Sequence, residues 1–112
     1  MINIKLNGMI QQVSEVKELT NTKRKYQKIL IRVDPTPDSL GRITGAINYF
    51  DVFIYGEKEI LSIWSNYNDK LPDPPVTVLG NLVGKLKLDK NKNEYNNITI
   101  RANKIIFNYD NN

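Results

Sequence analysis

Apolar and polar residues alternate from the second position onward. Ile2, Ile4 and Leu6 are separated by Asn3, Lys5 and Asn7, the period of two that turns one face of a β-strand toward a core. Gly8 interrupts this run, and Met9, Ile10, Val13 and Val16 continue it more loosely. The pattern predicts one long strand bent at Gly8. Glu18 to Arg24 is polar and reads as a turn. From Tyr26 to Asp34 the alternation is clean, with Gln27, Ile29, Ile31 and Val33 on one face and Tyr26, Lys28, Leu30 and Arg32 on the other, which predicts a second, half-buried strand. Asp34 to Gly45 carries Pro35, Pro37, Gly41 and Gly45 and reads as a long loop. Ile47 to Tyr55 is aromatic and β-branched up to Gly56, a third strand whose two faces are both apolar or aromatic.

The period then changes. Ile60, Ile63, Trp64 and Tyr67 fall at helical spacing, with Glu57 and Glu59 near the start, so a helix is predicted over Glu57 to Tyr67. Leu71-Pro72-Asp73-Pro74-Pro75 ends it. Val76, Val78 and Leu82 around Gly80 predict a fourth strand and Asn97 to Phe107 a fifth, with the polar segment Asp89 to Asn96 as the loop between them. The expected fold class is therefore all-β with one helix. Strand, strand, strand, helix, strand, strand is the order of a five-stranded OB-fold β-barrel, its helix between strands three and four plugging one open end.

Composition agrees with one folded unit. The chain has 112 residues, 40% hydrophobic and 25% charged, the size and balance of a single domain with one core. We expect the domain to occupy residues 1–108, with 109–112 a short polar end. Cys and His are both absent, which removes zinc ligation through them, disulfides, a Cys nucleophile and a His general base. The carboxylates Glu57, Glu59, Asp69 and Asp73 are scattered without a metal-ligand or water-activating spacing, so neither an enzyme, a metal, a cofactor nor a small-molecule substrate is expected. The N-terminus has no continuous apolar stretch and no apolar run is long enough to span a bilayer. A cytoplasmic protein with no membrane partner is expected.

The net charge of +4 is modest, and its placement is more informative. Lys23, Arg24, Lys25, Lys28 and Arg32 face only Asp34 within residues 21–34, whereas residues 57–75 are net negative. A positive side of this kind suits a polyanion. If Ile29, Ile31, Val33, Phe50, Val52 and Ile54 fill the barrel, Tyr26, Lys28, Arg32, Tyr49, Phe53 and Tyr55 point outward. Aromatic rings interleaved with cations are what single-stranded nucleic acid requires, since rings stack on bases and cations follow phosphates. Lys85 and Lys87 share the outward parity of Val83 and Thr77 and either extend this groove or form a solvated face. Arg24, with Lys23, Lys25 and Arg42, and the loop residues Lys90, Lys92 and Tyr95, carry the same two alternatives. Asp51 stands among the outward aromatics, where pairing with Lys28 or Arg32 would neutralise it. Trp64 is assigned to the core as a barrel plug. The aromatic face has a competing explanation as an oligomer interface, although Tyr with Lys and Arg suits a wet groove better than a dry contact.

Several segments resemble the bacterial and phage single-stranded DNA-binding proteins. Leu6-Asn7-Gly8-Met9-Ile10 looks like their first strand, Tyr49-Phe50-Asp51-Val52-Phe53-Ile54-Tyr55-Gly56 like their aromatic third strand, Val76-Thr77-Val78-Leu79-Gly80-Asn81-Leu82 like their fourth, and Arg101-Ala102-Asn103-Lys104-Ile105-Ile106-Phe107 like their closing strand. The resemblance implies an OB barrel that binds single-stranded DNA with little sequence preference in replication, recombination or repair. It further implies a homodimer or homotetramer, with Tyr49 and Tyr55 at the stacking positions. The sequence departs from the family in two places: the proline-containing loop after Val33, and the end Asn108-Tyr109-Asp110-Asn111-Asn112, which lacks the family's acidic recruiting tip. We therefore expect a binding core without that tail. The alternatives are an interaction or assembly module like the primosomal protein of the same fold, and an RNA binder, because OB barrels accept either polymer.

Overall fold

The computed structural model describes residues 2–66 and 73–108, apart from the side chains at positions 59, 62 and 64–66. The assignment of Trp64 as a plug and the polar end 109–112 lie outside the described residues. The elements in chain order are β1 (Ile2–Val13), β2 (Lys17–Glu18), β3 (Lys25–Val33), β4 (Asn48–Tyr55), α1 (Glu57–Asn66), β5 (Pro75–Leu88) and β6 (Glu94–Phe107). The five strands read from the sequence correspond to β1, β3, β4, β5 and β6. The two-residue β2 is additional: Lys17 and Glu18 pair with Tyr26 and Lys25, so the segment read as a plain turn begins with a short hairpin.

Strands β1, β5, β6, β4 and β3 are neighbours in that order, and β3 pairs back onto β1. Five strands thus close a barrel with no open edge among them. All pairings are antiparallel except β4 with β6, which run parallel over the three pairs Val52↔Ile100, Phe53↔Arg101 and Ile54↔Ala102.

Closure depends on places where two backbones approach closely. A Cβ at Gly8 would stand 2.6 Å from both the Arg32 carbonyl oxygen and Ile31 Cγ2, where β1 leaves β5 and crosses to β3. A Cβ at Gly80 would land on the Arg101 carbonyl oxygen. Only glycine fits either site. The pairing also slips between Ile10 and Gln12 in β1, and β6 carries an extra residue, Asn103, opposite the step from Leu79 to Gly80. The second bulge shifts the inward set of β6 from Ile100 and Ala102 to Ile105 and leaves Ile106 exposed.

Inside the barrel, Ile10, Ile29, Ile31, Val52, Ile54, Val76, Val78, Ile100, Ala102 and Ile105 form one cluster. Ile60 and Ile63, one helical turn apart on α1, join it, and the helix packs against β3, β4 and β6. The alternation in β3 is realised, with Gln27, Ile29 and Ile31 each fully buried. The buried Gln27 amide is half satisfied: its Nε2 donates to the Ser14 carbonyl at 2.8 Å, while its Oε1 has no hydrogen-bond partner among the described residues. Phe50 departs from the expected filling of the barrel. It lies beside the inward Ile31 but is 36% exposed, because β6 covers β4 only from Val52 to Ile54 and the first half of β4 extends past the rim.

The β5–β6 hairpin is longer than the alternation indicated. Pairing continues through Lys85↔Asn97, Leu86↔Asn96, Lys87↔Tyr95 and Leu88↔Glu94, leaving Asp89 to Asn93 as the turn. Asp89 Oδ1 accepts from the backbone N–H of Asn91 and of Asn93, both at 2.8 Å. Outside the barrel there is no core to impose apolar alternation, so the returning side of the arm, Glu94 to Asn96, reads as polar loop in the sequence, whereas Lys85 and Lys87 on the outgoing side are read as strand. No helix among the described residues is long and apolar enough to cross a membrane.

Candidate nucleic-acid interface

The register of β3 against β4 arranges the outward side chains in rungs: Tyr26↔Tyr55, Lys28↔Phe53, Leu30↔Asp51 and Arg32↔Tyr49. From Tyr55 to Tyr49 the ladder spans about 20 Å at the usual strand rise. Its two ends are built differently.

At one end the aromatic and cationic residues converge. The rings of Tyr26 and Tyr55 stack with centroids 5.9 Å apart and planes inclined by 27°. The Arg24 guanidinium lies 5.3 Å from the centre of the Tyr55 ring, and that of Arg101 lies 4.5 Å from it, both within cation–π range. Arg24 is held by the turn after β2, where Leu19 N–H donates to the Arg24 carbonyl at 2.8 Å and Arg24 N–H to Thr22 Oγ1 at 3.3 Å. The parallel seam brings Arg101 beside Phe53.

From this cluster a groove of about 240 Å³ runs out along the arm, lined by Phe53, Tyr55, Val83, Lys85, Lys87, Asn97, Thr99 and Arg101. Lys85 and Lys87 thus line the same groove as the rings. Thr77, which shares their parity, does not: it is buried under hydrogen bonds with Asn7 and Asn108, 2.7 and 2.8 Å long. A second, separately lined depression, of about 440 Å³, lies on the barrel wall between Gln11, Gln12, Ser14, Lys28, Leu30 and Asp51.

At the other end Tyr49 is 55% exposed and has no ring partner among the described residues. Arg32 is placed opposite it, yet its guanidinium is engaged elsewhere. Nε lies 3.1 Å from Asp34 Oδ1 and Nη1 3.2 Å from Asp73 Oδ2, while Nη2 is 3.4 Å from Met9 Sδ. Two carboxylates on one guanidinium leave no net positive charge there for a phosphate. Asp51 faces Leu30 across the ladder and forms no ion pair with Lys28 or Arg32.

The structure therefore brings together Arg24, Tyr26, Lys28, Phe53, Tyr55, Lys85 and Lys87, and sets Arg32 and Tyr49 apart from them. Arg101 is the residue missing from the sequence-based set. Its parity is plain within β6, but its position beside Phe53 depends on a parallel pairing between strands distant in sequence, which alternation within one strand does not reveal.

The loop from 34 to 47 borders the Tyr49 end and is organised by Asp38. Its Oδ1 accepts from the backbone N–H of Leu40 and of Arg42, each at 2.9 Å, and its Oδ2 accepts from Arg42 Nε at 3.0 Å. The Arg42 N–H foremost, then that of Leu40 and the Arg42 side chain, hold the carboxyl below the usual carboxylate range.

No protein-family model matches the chain, and no curated protein sequence is similar to it. Solved structures do resemble it. The mitochondrial single-stranded DNA binding protein Rim1 of S. cerevisiae superposes with a TM-score of 0.70 at 16% identity, over 94% of this chain and 92% of the yeast chain. An SSB of Plasmodium falciparum, solved in complex with ssDNA, superposes with a TM-score of 0.70 at 17% identity, over 97% and 96% of the two chains. The closed five-stranded barrel described above is thus the fold of these single-stranded DNA-binding proteins.

Proposed function

We propose that this chain binds single-stranded DNA with little sequence preference, by stacking bases on aromatic rings and tracking phosphates with cations, in support of replication, recombination or repair. The observation that carries the proposal is the convergence of Tyr26, Phe53 and Tyr55 with Arg24, Arg101, Lys85 and Lys87 on one face. Rings offer every base a π-face, and the lysines continue the positive track along the arm. The fold shared with a protein solved in complex with ssDNA supports the same ligand. In this assignment the barrel is an OB fold, with α1 closing one end between its third and fourth long strands. Titration of a fluorescent oligo(dT) at two salt concentrations tests it. Affinity should fall steeply with salt, and no binding at low salt refutes the proposal. A parallel titration with oligo(U) decides between DNA and RNA.

A second face supports assembly into a homodimer or homotetramer. On the side of the arm opposite Lys85 and Lys87, Leu86, Leu88 and Ile98 are exposed, and Ile2 stands exposed at the arm's base, opposite Leu82. Because the two faces are opposite, assembly and nucleic-acid binding are compatible. Sedimentation of the protein and of Leu86→Asp tests this, and a chain that stays monomeric at high concentration overturns it.

A further inference from the structure

Three groups crowd one ring. Tyr26, Arg24 and Arg101 all approach Tyr55, so a base that stacks on the face Arg101 covers must displace it. Tyr26 is fixed by its place in β3, directly opposite Tyr55. Arg24 lies over a separate depression with Lys23, Lys25, Gly56 and Glu57. Arg101 is the nearer of the two cations, is exposed, and lines the same groove as Phe53, Lys85 and Lys87.

We propose that Arg101 is a placeholder on Tyr55: an incoming base takes its position over the ring, and the released guanidinium pairs with the phosphate beside that base. The inference rests on the binding function proposed above and assigns a role within it. Guanidinium suits the exchange because it is planar, always charged and less strongly hydrated than an ammonium, so it stacks well on an aromatic face and equally donates two parallel N–H bonds to a phosphate. In the free protein it keeps the ring covered. In the complex it adds one ionic contact.

The two roles have opposite effects on affinity, and salt separates them. Each phosphate contact adds about 0.7 to the slope of log affinity against log salt for a single strand. Arg101→Gln should therefore bind oligo(dT) with a slope shallower by about 0.7, weaker than the unsubstituted protein at low salt, with the gap narrowing as salt rises. Arg101→Lys should retain the slope. In the free protein the Arg101 Nε–H resonance should be shifted by the Tyr55 ring current, and the shift should collapse on adding oligo(dT). Thermal unfolding of both variants shows that they remain folded.

Equal slopes for Arg101→Gln and the unsubstituted protein overturn the phosphate contact, and a ring-current shift that persists in the complex overturns the displacement. Both results leave the binding function standing. Failure of the unsubstituted protein to bind oligo(dT) at low salt removes that function and this inference together.

Discussion

At the scale of single residues, the same chemistry has different consequences according to what each side chain touches. Tyr55 sits at the centre of the cluster, and Tyr55→Ala should weaken oligo(dT) binding by about 1 to 3 kcal/mol, the cost of one lost stack, as read by fluorescence titration. Arg32 looks equivalent in the sequence but is held by Asp34 and Asp73 with its side chain only 23% exposed. Arg32→Gln should lower stability by about 1 to 2 kcal/mol, between the exposed and buried limits for ion pairs, and leave the salt slope of binding unchanged. Asp38 makes a pH-dependent contribution. A carboxyl whose folded pKa is depressed orders the loop fully above the unfolded value and loses that effect as pH falls through the folded one. Protection of the Leu40 and Arg42 amides, taken relative to intrinsic exchange at each pH, should therefore fall only in acid, and Asp38→Asn should lower it in part at neutral pH. Alternation was enough to identify Gln27, Ile29 and Ile31 as inward, because both neighbours of β3 cover that stretch. It misassigned Phe50 because the extent of β6 cover is a property of another strand.

At the scale of elements, the long strands were legible wherever a core lies beneath them and only in part beyond it. β5 is legible as far as Lys87, whereas Glu94 to Asn96 pair as strand in solvent, where polar residues satisfy a ladder as well as apolar ones. The hidden bulge at Asn103 likewise has no compositional mark. The arm is held at its tip by the Asp89 carboxylate and by Lys92, whose φ is 64°. Left-handed backbone costs a non-glycine residue about 1 kcal/mol or more. Lys92→Gly should accordingly stabilise the turn, while Asp89→Ala should loosen it and speed amide exchange along Lys85 to Leu88. The close approach between β5 and β6 is less forgiving. Gly80→Ala should destabilise the protein by about 1 to 3 kcal/mol or more, the range for forced overpacking, measured by denaturant unfolding.

At the scale of the whole molecule, strand order and one helix-period segment sufficed to anticipate a barrel, because few architectures accommodate that order in so short a chain. The composition of its binding face was less accessible, since it depends on the β4–β6 seam. That seam is only three residue pairs long and joins segments from opposite halves of the chain. Until β6 has been synthesised, β4 lacks its second neighbour and Phe53 lacks Arg101, however well the hairpin of β3 and β4 has formed. Non-local pairings of this kind are slow to form and leave apolar surface exposed meanwhile. A nascent chain ending before residue 100 would thus present Val52 and Ile54 uncovered, and the face that meets the nucleic acid comes into existence only when the barrel shuts.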